Sequence, residues 1–190
     1  MKKLLTSALF CLPLFAQAAW VSDDASSSIH FLSTKKKHII ETHQFDRFTA
    51  SLSDSGAVKL EIDLTSANTL IPIRNERLQE FLFETSQFAK ATLNAQLDAD
   101  LLTTIQSGKF VSKTVNANLN LHGVIRPIKT KVNFVSLKNG DILVQSQEPI
   151  IIDSRHYELA TGVDKLKSLA GLPSIGYTVP VVFSLVMKSQ

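Results

Sequence analysis

Residues 115–122 read VNANLNLH, and the alternation in this run determines how the rest of the chain is interpreted. Apolar side chains stand at every second position, with asparagine or histidine between them. On an extended strand, successive side chains point to opposite faces of the sheet. The run therefore predicts a β-strand whose apolar face is made by Val115, Ala117, Leu119 and Leu121.

Similar alternation recurs along most of the chain. It is regular or nearly so in residues 28–33, 57–64, 90–98, 128–135 and 179–188, and noisier in 38–52 and 141–152. Turn-forming residues separate the segments at 53–56, 122–127 and 138–140. The pattern predicts about eight strands, with one clear hairpin between them. In that hairpin we expect strands 113–122 and 128–136, joined by a turn around Gly123 and Pro127.

Two segments have helical spacing instead. Residues 73–83 place Leu78, Phe81 and Leu82 on one face, and residues 163–172 do the same with three apolar side chains before a Gly and a Pro end the helix. Helices are thus a minor part of the prediction.

Strands with one apolar face must hide it, either by pairing two sheets in a sandwich or by closing one sheet into a barrel. A closed sheet of eight strands can enclose a small ligand. The inverse arrangement, a membrane barrel with its apolar face toward lipid, is disfavoured because one Trp and two Tyr cannot build aromatic girdles.

The first 18 residues have the three parts of a secretory signal peptide. Lys2 and Lys3 precede the apolar stretch 4–15, and Ala16-Gln17-Ala18 supplies small residues for cleavage after Ala18. Cys11 lies inside the apolar stretch after Phe10, so we interpret it as part of the signal and not as a lipoprotein cysteine. We therefore expect an exported protein, located in the bacterial periplasm, whose mature domain is 19–190 and has no cysteine.

The charge balance argues against nucleic acid as a partner. Removal of Lys2 and Lys3 leaves 18 basic residues against 17 acidic ones, so the formal net charge falls from +3 to +1. A nucleic-acid-binding domain normally carries a clustered basic excess.

The order of motifs resembles the YceI family of exported lipid- and polyisoprenoid-binding proteins. The likeness rests on SSIHFLSTKK (27–36), on the segment 58–97 that contains an Arg-bearing helix, and on LNLHGVIRPIKTKVNF (119–134). It covers nearly the whole mature chain. The resemblance implies an all-β fold, an eight-stranded antiparallel lipocalin-like β-barrel with one or two short helices, that holds a long amphiphilic molecule. Residues 35–48 and the helix at 163–172 depart from the simplest members, which leaves the identity of the ligand open.

This resemblance makes the apolar faces candidates for the lining of a lumen. The lumen candidates are Phe31, Leu60, Ile62, Phe81, Leu93, Leu97, Leu119, Leu121, Phe134 and Phe183. The alternative is that these side chains pack only on one another.

Charged residues suggest where a head group would lie. Arg74 is the head-group candidate, since a guanidinium can make paired hydrogen bonds to a phosphate or carboxylate; the alternative is a surface ion pair. Lys35, Lys36 and Lys37 predict a hairpin tip, either as a solvated turn or as a docking patch for anionic lipid.

We find no support for catalysis or a metal centre in the sequence. Glu41 and His43 share a strand face but lack the further ligands that a metal site needs. No nucleophile elbow or nucleotide-binding fingerprint is present. We expect no enzyme activity and no cofactor; a bound isoprenoid lipid or quinone would be cargo.

We expect a carrier of a long amphiphilic lipid, either an isoprenoid, a quinone or a fatty-acid derivative. The alternative is a stress-related interaction module with a filled core, and an enzyme comes third. Transient membrane contact and a homodimer are open at this stage.

Overall fold

The computed structural model describes residues 18–190, so the predicted signal peptide, apart from Ala18, lies outside the described residues. The strands are β1 (Ala18–Ser22), β2 (Ser28–Lys35), β3 (Ile39–Phe45), β4 (Phe48–Ser53), β5 (Ala57–Asp63), β6 (Ala67–Asn68), β7 (Lys90–Gln96), β8 (Val111–Leu121), β9 (Val124–Ser136), β10 (Ile142–Ser146), β11 (Ile150–Asp153) and β12 (Thr178–Ser189). The α-helices are α1 (Pro72–Arg77), α2 (Ala99–Gln106) and α3 (Ala160–Leu169), and a π-helical turn, Leu78–Leu82, follows α1.

All strands belong to one antiparallel sheet that closes on itself. Several pairs of consecutive strands are two halves of one long strand. Strands β1 and β2 form one such pair, since both pair with β12. Strands β3 and β4 form another, since β3 pairs with β2 and β4 pairs with β1. Strands β5 and β6, which pair with β4 and β3, are likewise halves of one strand, and so are β10 and β11, which pair with successive parts of β12. Counted so, eight long strands follow one another around a barrel, and the pairing of β1 with β12 completes it. The predicted eight-stranded barrel is confirmed, and the sandwich is not formed.

The hairpin of β8 and β9 is tighter than the sequence suggests. Its turn is only His122-Gly123, and both residues have positive φ, 54° and 76°. This is the two-residue turn whose twist matches that of antiparallel strands, and glycine adopts it without strain. Pro127 is not in the turn as predicted but pairs with Asn118 inside β9.

One end of the barrel is closed by α2, a helix that was not predicted from the sequence. Asp98 caps this helix, since its Oδ1 accepts a hydrogen bond of 2.7 Å from the Leu101 amide. Leu101, Leu102 and Ile105 are buried and pack in one cluster with Trp20. We call this the closed end.

The opposite end carries α1, the π-helical turn and α3. The predicted helix 73–83 is present as α1 and the π-helical turn, and the predicted helix 163–172 begins and ends three residues earlier. Helix α3 packs on the π-helical turn through Gly162, where an added Cβ would lie 2.4 Å from the Phe81 carbonyl oxygen. We call this the mouth end. Among the described residues, no helix is both long and apolar enough to cross a membrane.

Candidate lipid-binding cavity

The barrel encloses a cavity of about 570 Å³ instead of a solid core. Volumes of about 300–1,000 Å³ are typical of small-molecule sites. Nine of the ten predicted lumen residues line this cavity: Phe31, Leu60, Ile62, Leu93, Leu97, Leu119, Leu121, Phe134 and Phe183. The assigned faces of the strands therefore match the structure.

Phe81 is the exception among the predicted lumen residues. It does not line the cavity, and its ring lies under Lys165, whose Nζ is 5.4 Å from the ring centroid. The reason is the π-helical turn, which has about one more residue per turn than an α-helix. The residues after Leu78 therefore point in other directions than α-helical spacing predicts. Leu78 and Leu82 line the cavity.

The polar part of the cavity lies at the mouth end and is organised around Glu41. Its Oε2 lies 2.9 Å from Arg74 Nη1 and 2.8 Å from Lys35 Nζ. Arg74 also donates through Nη2 to the backbone oxygen of Thr69, at 2.7 Å. All four residues line the cavity, so Arg74, the predicted head-group candidate, lies on its wall. Two cations share one carboxylate, and the group carries a net positive charge.

These contacts also set the ionisation of the carboxyl group. The hydrogen bond from Lys35, assisted by the charges of Arg74 and Lys35, holds the pKa of Glu41 below its ordinary value, although burial opposes this. Glu41 is therefore a carboxylate at neutral pH, and the two cations remain fixed at the mouth end.

His43 lies one step deeper in the same wall. It is 6% exposed, and its Nε2 is 2.8 Å from the hydroxyl of Ser33. Burial and the nearby positive charge of Arg74 lower the pKa of His43, so the imidazole is neutral at neutral pH. Within residues 18–190, no third His, Cys, Asp or Glu joins Glu41 and His43 in a group that could hold a metal ion.

Aromatic rings continue inward from His43. Its ring centroid is 5.2 Å from that of Phe31, and Phe31 and Phe45 are 4.9 Å apart. Phe45 in turn approaches Phe83 at 6.2 Å. The wall thus changes from charged to neutral polar and then to aromatic within one patch of the barrel.

Four polar side-chain atoms on the cavity wall are buried and have no hydrogen-bond partner within residues 18–190. They are Nδ1 of His43, Nε of Arg74, Oγ1 of Thr130 and Oγ of Ser154. A buried polar group without a partner costs free energy, so such atoms are usually satisfied by a bound molecule or water. His43 Nδ1 and Arg74 Nε both lie in the polar group at the mouth end.

Sequence reasoning left several lining residues unassigned. Ser33 and Lys35 follow Phe31 at spacings of two and four on β2. On β3, Glu41 lies opposite Ser33 and His43 lies opposite Phe31. The period of two was visible, but the register that joins the two strands was not. Ile71, Ile73 and the residues after α3 also line the cavity and carry no strand pattern at all.

Comparisons with known proteins agree with this architecture. The family model described as YceI-like domain matches residues 20–187. A search of curated proteins gives no match. Among solved structures, a polyisoprenoid binding domain from Saccharophagus degradans, implicated in plant cell wall breakdown, is 37% identical, with a TM-score of 0.87 over 92% of this chain and 100% of its own.

Two more distant structures share the fold. Burkholderia cenocepacia BcnA is 17% identical, with a TM-score of 0.68 over 87% of this chain and 98% of its own. The Campylobacter jejuni YceI protein is 16% identical, with a TM-score of 0.53 over 78% of this chain and 84% of its own. At these identities the likeness shows the barrel alone.

Proposed function

The chain belongs to the YceI-like family, and we propose that it is a binding protein that carries a long amphiphilic lipid in its barrel. The observation that carries this proposal is the cavity of about 570 Å³, apolar along most of its wall and charged at one end. A molecule with an apolar tail and a polar head group matches this separation of an apolar wall from a charged end.

The energetics of tail burial favour such a cargo. A tail of about 16 carbons gains on the order of 13 kcal/mol at ~0.8 kcal/mol per methylene. Association costs about 4–15 kcal/mol, so useful affinity does not require strong polar contacts. The head group then contributes orientation more than affinity.

We assign the head group to the polar mouth end. Glu41 forms an ion pair with Lys35 as well as with Arg74. Arg74 can therefore contact a ligand while the carboxylate keeps Lys35 as its partner. The Nε of Arg74 and Nδ1 of His43 are buried there and have no hydrogen-bond partner among the described residues. Arg74 would bind a phosphate, pyrophosphate or carboxylate oxygen, and His43 would contact a neutral oxygen or hydroxyl nearby.

An isoprenoid tail is our preferred cargo. The most similar of the structures compared above is a polyisoprenoid binding domain, and its fold aligns over almost all of this chain. Isoprenoid lipids and quinones come first, and fatty-acid derivatives second. Residues 1–18 have the pattern of a signal peptide, and on that pattern we propose export to the periplasm as the place where the carrier works.

The alternative of an interaction module requires a filled core. The structure has a hollow barrel instead, which favours the carrier. Nor does any observation favour an enzyme, and we propose that the protein acts by binding and release only.

Native mass spectrometry of the processed protein, purified without detergent from a bacterial periplasm, tests the proposal. We expect an added mass that is lost on solvent extraction and that the extract identifies as a prenyl or acyl lipid. The stripped protein should rebind the lipid one to one. A stripped protein that binds neither prenyl nor acyl amphiphiles would overturn the carrier function.

A further inference from the structure

Three segments form a closed ring around the mouth, and we call residues 34–41, 69–77 and 169–176 the mouth ring. Arg74 and Lys35 join the first two segments through Glu41. The amide of Lys36 donates to the Ser174 carbonyl oxygen at 3.0 Å, which joins the first segment to the third. Nη1 of Arg77 is 3.5 Å from the Leu169 oxygen, and this contact completes the ring.

Exposed apolar side chains are concentrated on this ring. Ten large apolar side chains in residues 18–190 are markedly exposed, and six of them belong to these 25 residues. They are Ile39, Ile40, Leu70, Ile71, Ile73 and Leu169. Single exposed apolar residues are normal on a protein surface, but a contiguous group with this density marks an interaction site.

Leu70 is the most exposed of the six, at 85%, and its backbone is in an unfavourable conformation. Its φ is +62°, a region that bulky side chains rarely adopt. The loop is held in place because the Leu70 amide donates to Asn68 Oδ1 and the Thr69 amide donates to Asn75 Oδ1, each at 2.9 Å. A leucine is thus fixed in a strained turn and directed into solvent, which makes no contribution to folding.

The charge of the mouth ring is positive. It contains Lys35, Lys36, Lys37, Arg74 and Arg77 against Glu41 and Glu76, a net charge of +3, whereas residues 19–190 as a whole carry +1. Lys36 and Lys37 are exposed at the tip of the β2–β3 hairpin, beside Ile39 and Ile40. Apolar side chains that enter the interface together with lysines that contact lipid phosphates are the features of a surface that binds anionic bilayers.

We propose that the mouth ring docks the protein on an anionic lipid bilayer, with Leu70, Ile71 and Ile73 inserted between head groups and Lys36 and Lys37 on the phosphates. This inference rests on the proposed carrier function, since a carrier whose mouth faces the bilayer transfers its cargo without exposing the tail to water. Ile71 and Ile73 both line the cavity and reach solvent, so the inserted residues are continuous with the cavity wall.

Sedimentation with vesicles tests the docking. We expect the processed protein to bind phosphatidylcholine vesicles that contain phosphatidylglycerol, to bind pure phosphatidylcholine weakly, and to lose binding as salt shortens the Debye length from about 10 Å at 0.1 M to ~3 Å at 1 M. Leu70→Asn should weaken binding about tenfold, because it removes the apolar side chain that would insert into the bilayer. Asparagine tolerates positive φ, so this variant keeps its fold.

Matched variants at the closed end serve as controls. Phe110 is 64% exposed there, so Phe110→Asn removes an exposed apolar side chain comparable to Leu70 but should leave vesicle binding unchanged. The double variant Lys36→Asn with Lys37→Asn should weaken binding on the order of tenfold, whereas the exposed pair Lys109→Asn with Lys138→Asn should not.

Binding of a short-chain prenyl phosphate in vesicle-free solution separates this proposal from the carrier function. Leu70→Asn should bind that probe like the wild type. Retained probe binding without any vesicle binding by the wild type would overturn the docking alone, as would equal losses from the mouth-ring and closed-end variants. A wild type that binds neither this probe nor an acyl amphiphile in solution would overturn the carrier function.

Discussion

Arg74 Nη1 and Glu41 Oε2 lie 2.9 Å apart, and this pair joins helix α1 to strand β3 across the mouth of the barrel. Lys35 contacts the same oxygen at 2.8 Å, so the carboxylate keeps one cation if the other is engaged elsewhere. Both partners of the Arg74 pair are largely shielded from solvent, with side-chain exposures of 28% and 29%. The arrangement holds Arg74 at the end of an apolar cavity at little electrostatic cost.

Substitution of Arg74 should separate head-group binding from tail binding. We expect Arg74→Gln to lower the affinity for a prenyl phosphate about tenfold or more, since a hydrogen bond to a charged group contributes ~1.5–3 kcal/mol. The affinity for the uncharged prenyl alcohol of the same length should stay within a factor of two or three. Titration calorimetry with both ligands checks this. Arg47→Gln, which removes an exposed arginine paired with Asp63, is the control; equal losses for both ligands would show that Arg74 acts only on the fold.

Filling the cavity should block the tail and spare the fold. Ala117 lines the cavity, whereas Asn116, its neighbour on β8, is exposed on the outer face. We expect Ala117→Phe to reduce lipid affinity about tenfold to a hundredfold. The added ring narrows the barrel, and overpacking a ligand against it costs ~1–3 kcal/mol of binding free energy. Asn116→Phe should bind lipid as the wild type does. Lipid affinity that survives Ala117→Phe unchanged would place the tail outside the barrel.

The strands and their inward faces could be predicted because apolar and polar residues alternate within each segment of the sequence. Leu93 and Leu119, for example, face each other across β7 and β8, and each was assigned inward from its own strand alone. The polar mouth end could not be predicted so well. It depends on the register of β2 and β3 and on the position of Arg74, and neither follows from a local pattern.

The two errors in the helices have physical causes. Phe81 was placed on a face that assumes 3.6 residues per turn, and the π-helical turn shifts that face. Helix α2 was overlooked because its residues directly continue the alternation of β7. Its signals, Asp98 as a cap and three apolar residues at helical spacing, were nonetheless present.

The face assignment of β8 can be tested with a charge on each side. Leu119 is 9% exposed on the inner face, and Asn118 is exposed on the outer face. We expect Leu119→Asp to lower the free energy of unfolding by about 3 kcal/mol or more, because an unpaired carboxylate would be buried in an apolar wall. Asn118→Asp should change it by less than ~0.5 kcal/mol. Urea unfolding measures both, and equal damage would contradict the assigned faces.

Gly162 should control how α3 closes the mouth. A Cβ at this position would lie 2.4 Å from the Phe81 oxygen and 2.9 Å from the Leu82 Cα, and backbone cannot yield as a side chain can. We expect Gly162→Ala to cost ~1–3 kcal/mol through displacement of α3 from the π-helical turn, and to speed lipid release. Thr161→Ala on the exposed side of α3 is the control. Unchanged stability and release in Gly162→Ala would mean that the two helical elements are not tightly coupled.

The burial of His43 predicts a specific dependence of stability on pH. Burial, followed by the charge of Arg74, lowers the pKa of His43 below its ordinary value of 6.5. Between that value and its folded pKa, the unfolded chain binds a proton that the folded protein does not, so the free energy of unfolding falls as the pH is lowered. Above pH 6.5 this residue contributes no slope. The pKa of Glu41 is also lowered, but from 4.5, so its stabilising contribution is complete above that pH and is lost only as the pH falls through its folded pKa.

The His43 window begins at pH 6.5, whereas the Glu41 window begins only at pH 4.5, and His43→Gln isolates the loss that His43 causes. We expect urea unfolding, followed by the fluorescence of the buried Trp20, to show a loss of stability in the wild type as the pH falls from about 6.5 to ~5. The loss should be smaller in His43→Gln, because glutamine stays neutral, and should persist in His38→Gln, whose histidine is exposed at the hairpin tip. Parallel stability curves for the wild type and His43→Gln in this range would mean that His43 is protonated in the folded protein, and the neutral wall beside Arg74 would have to be abandoned.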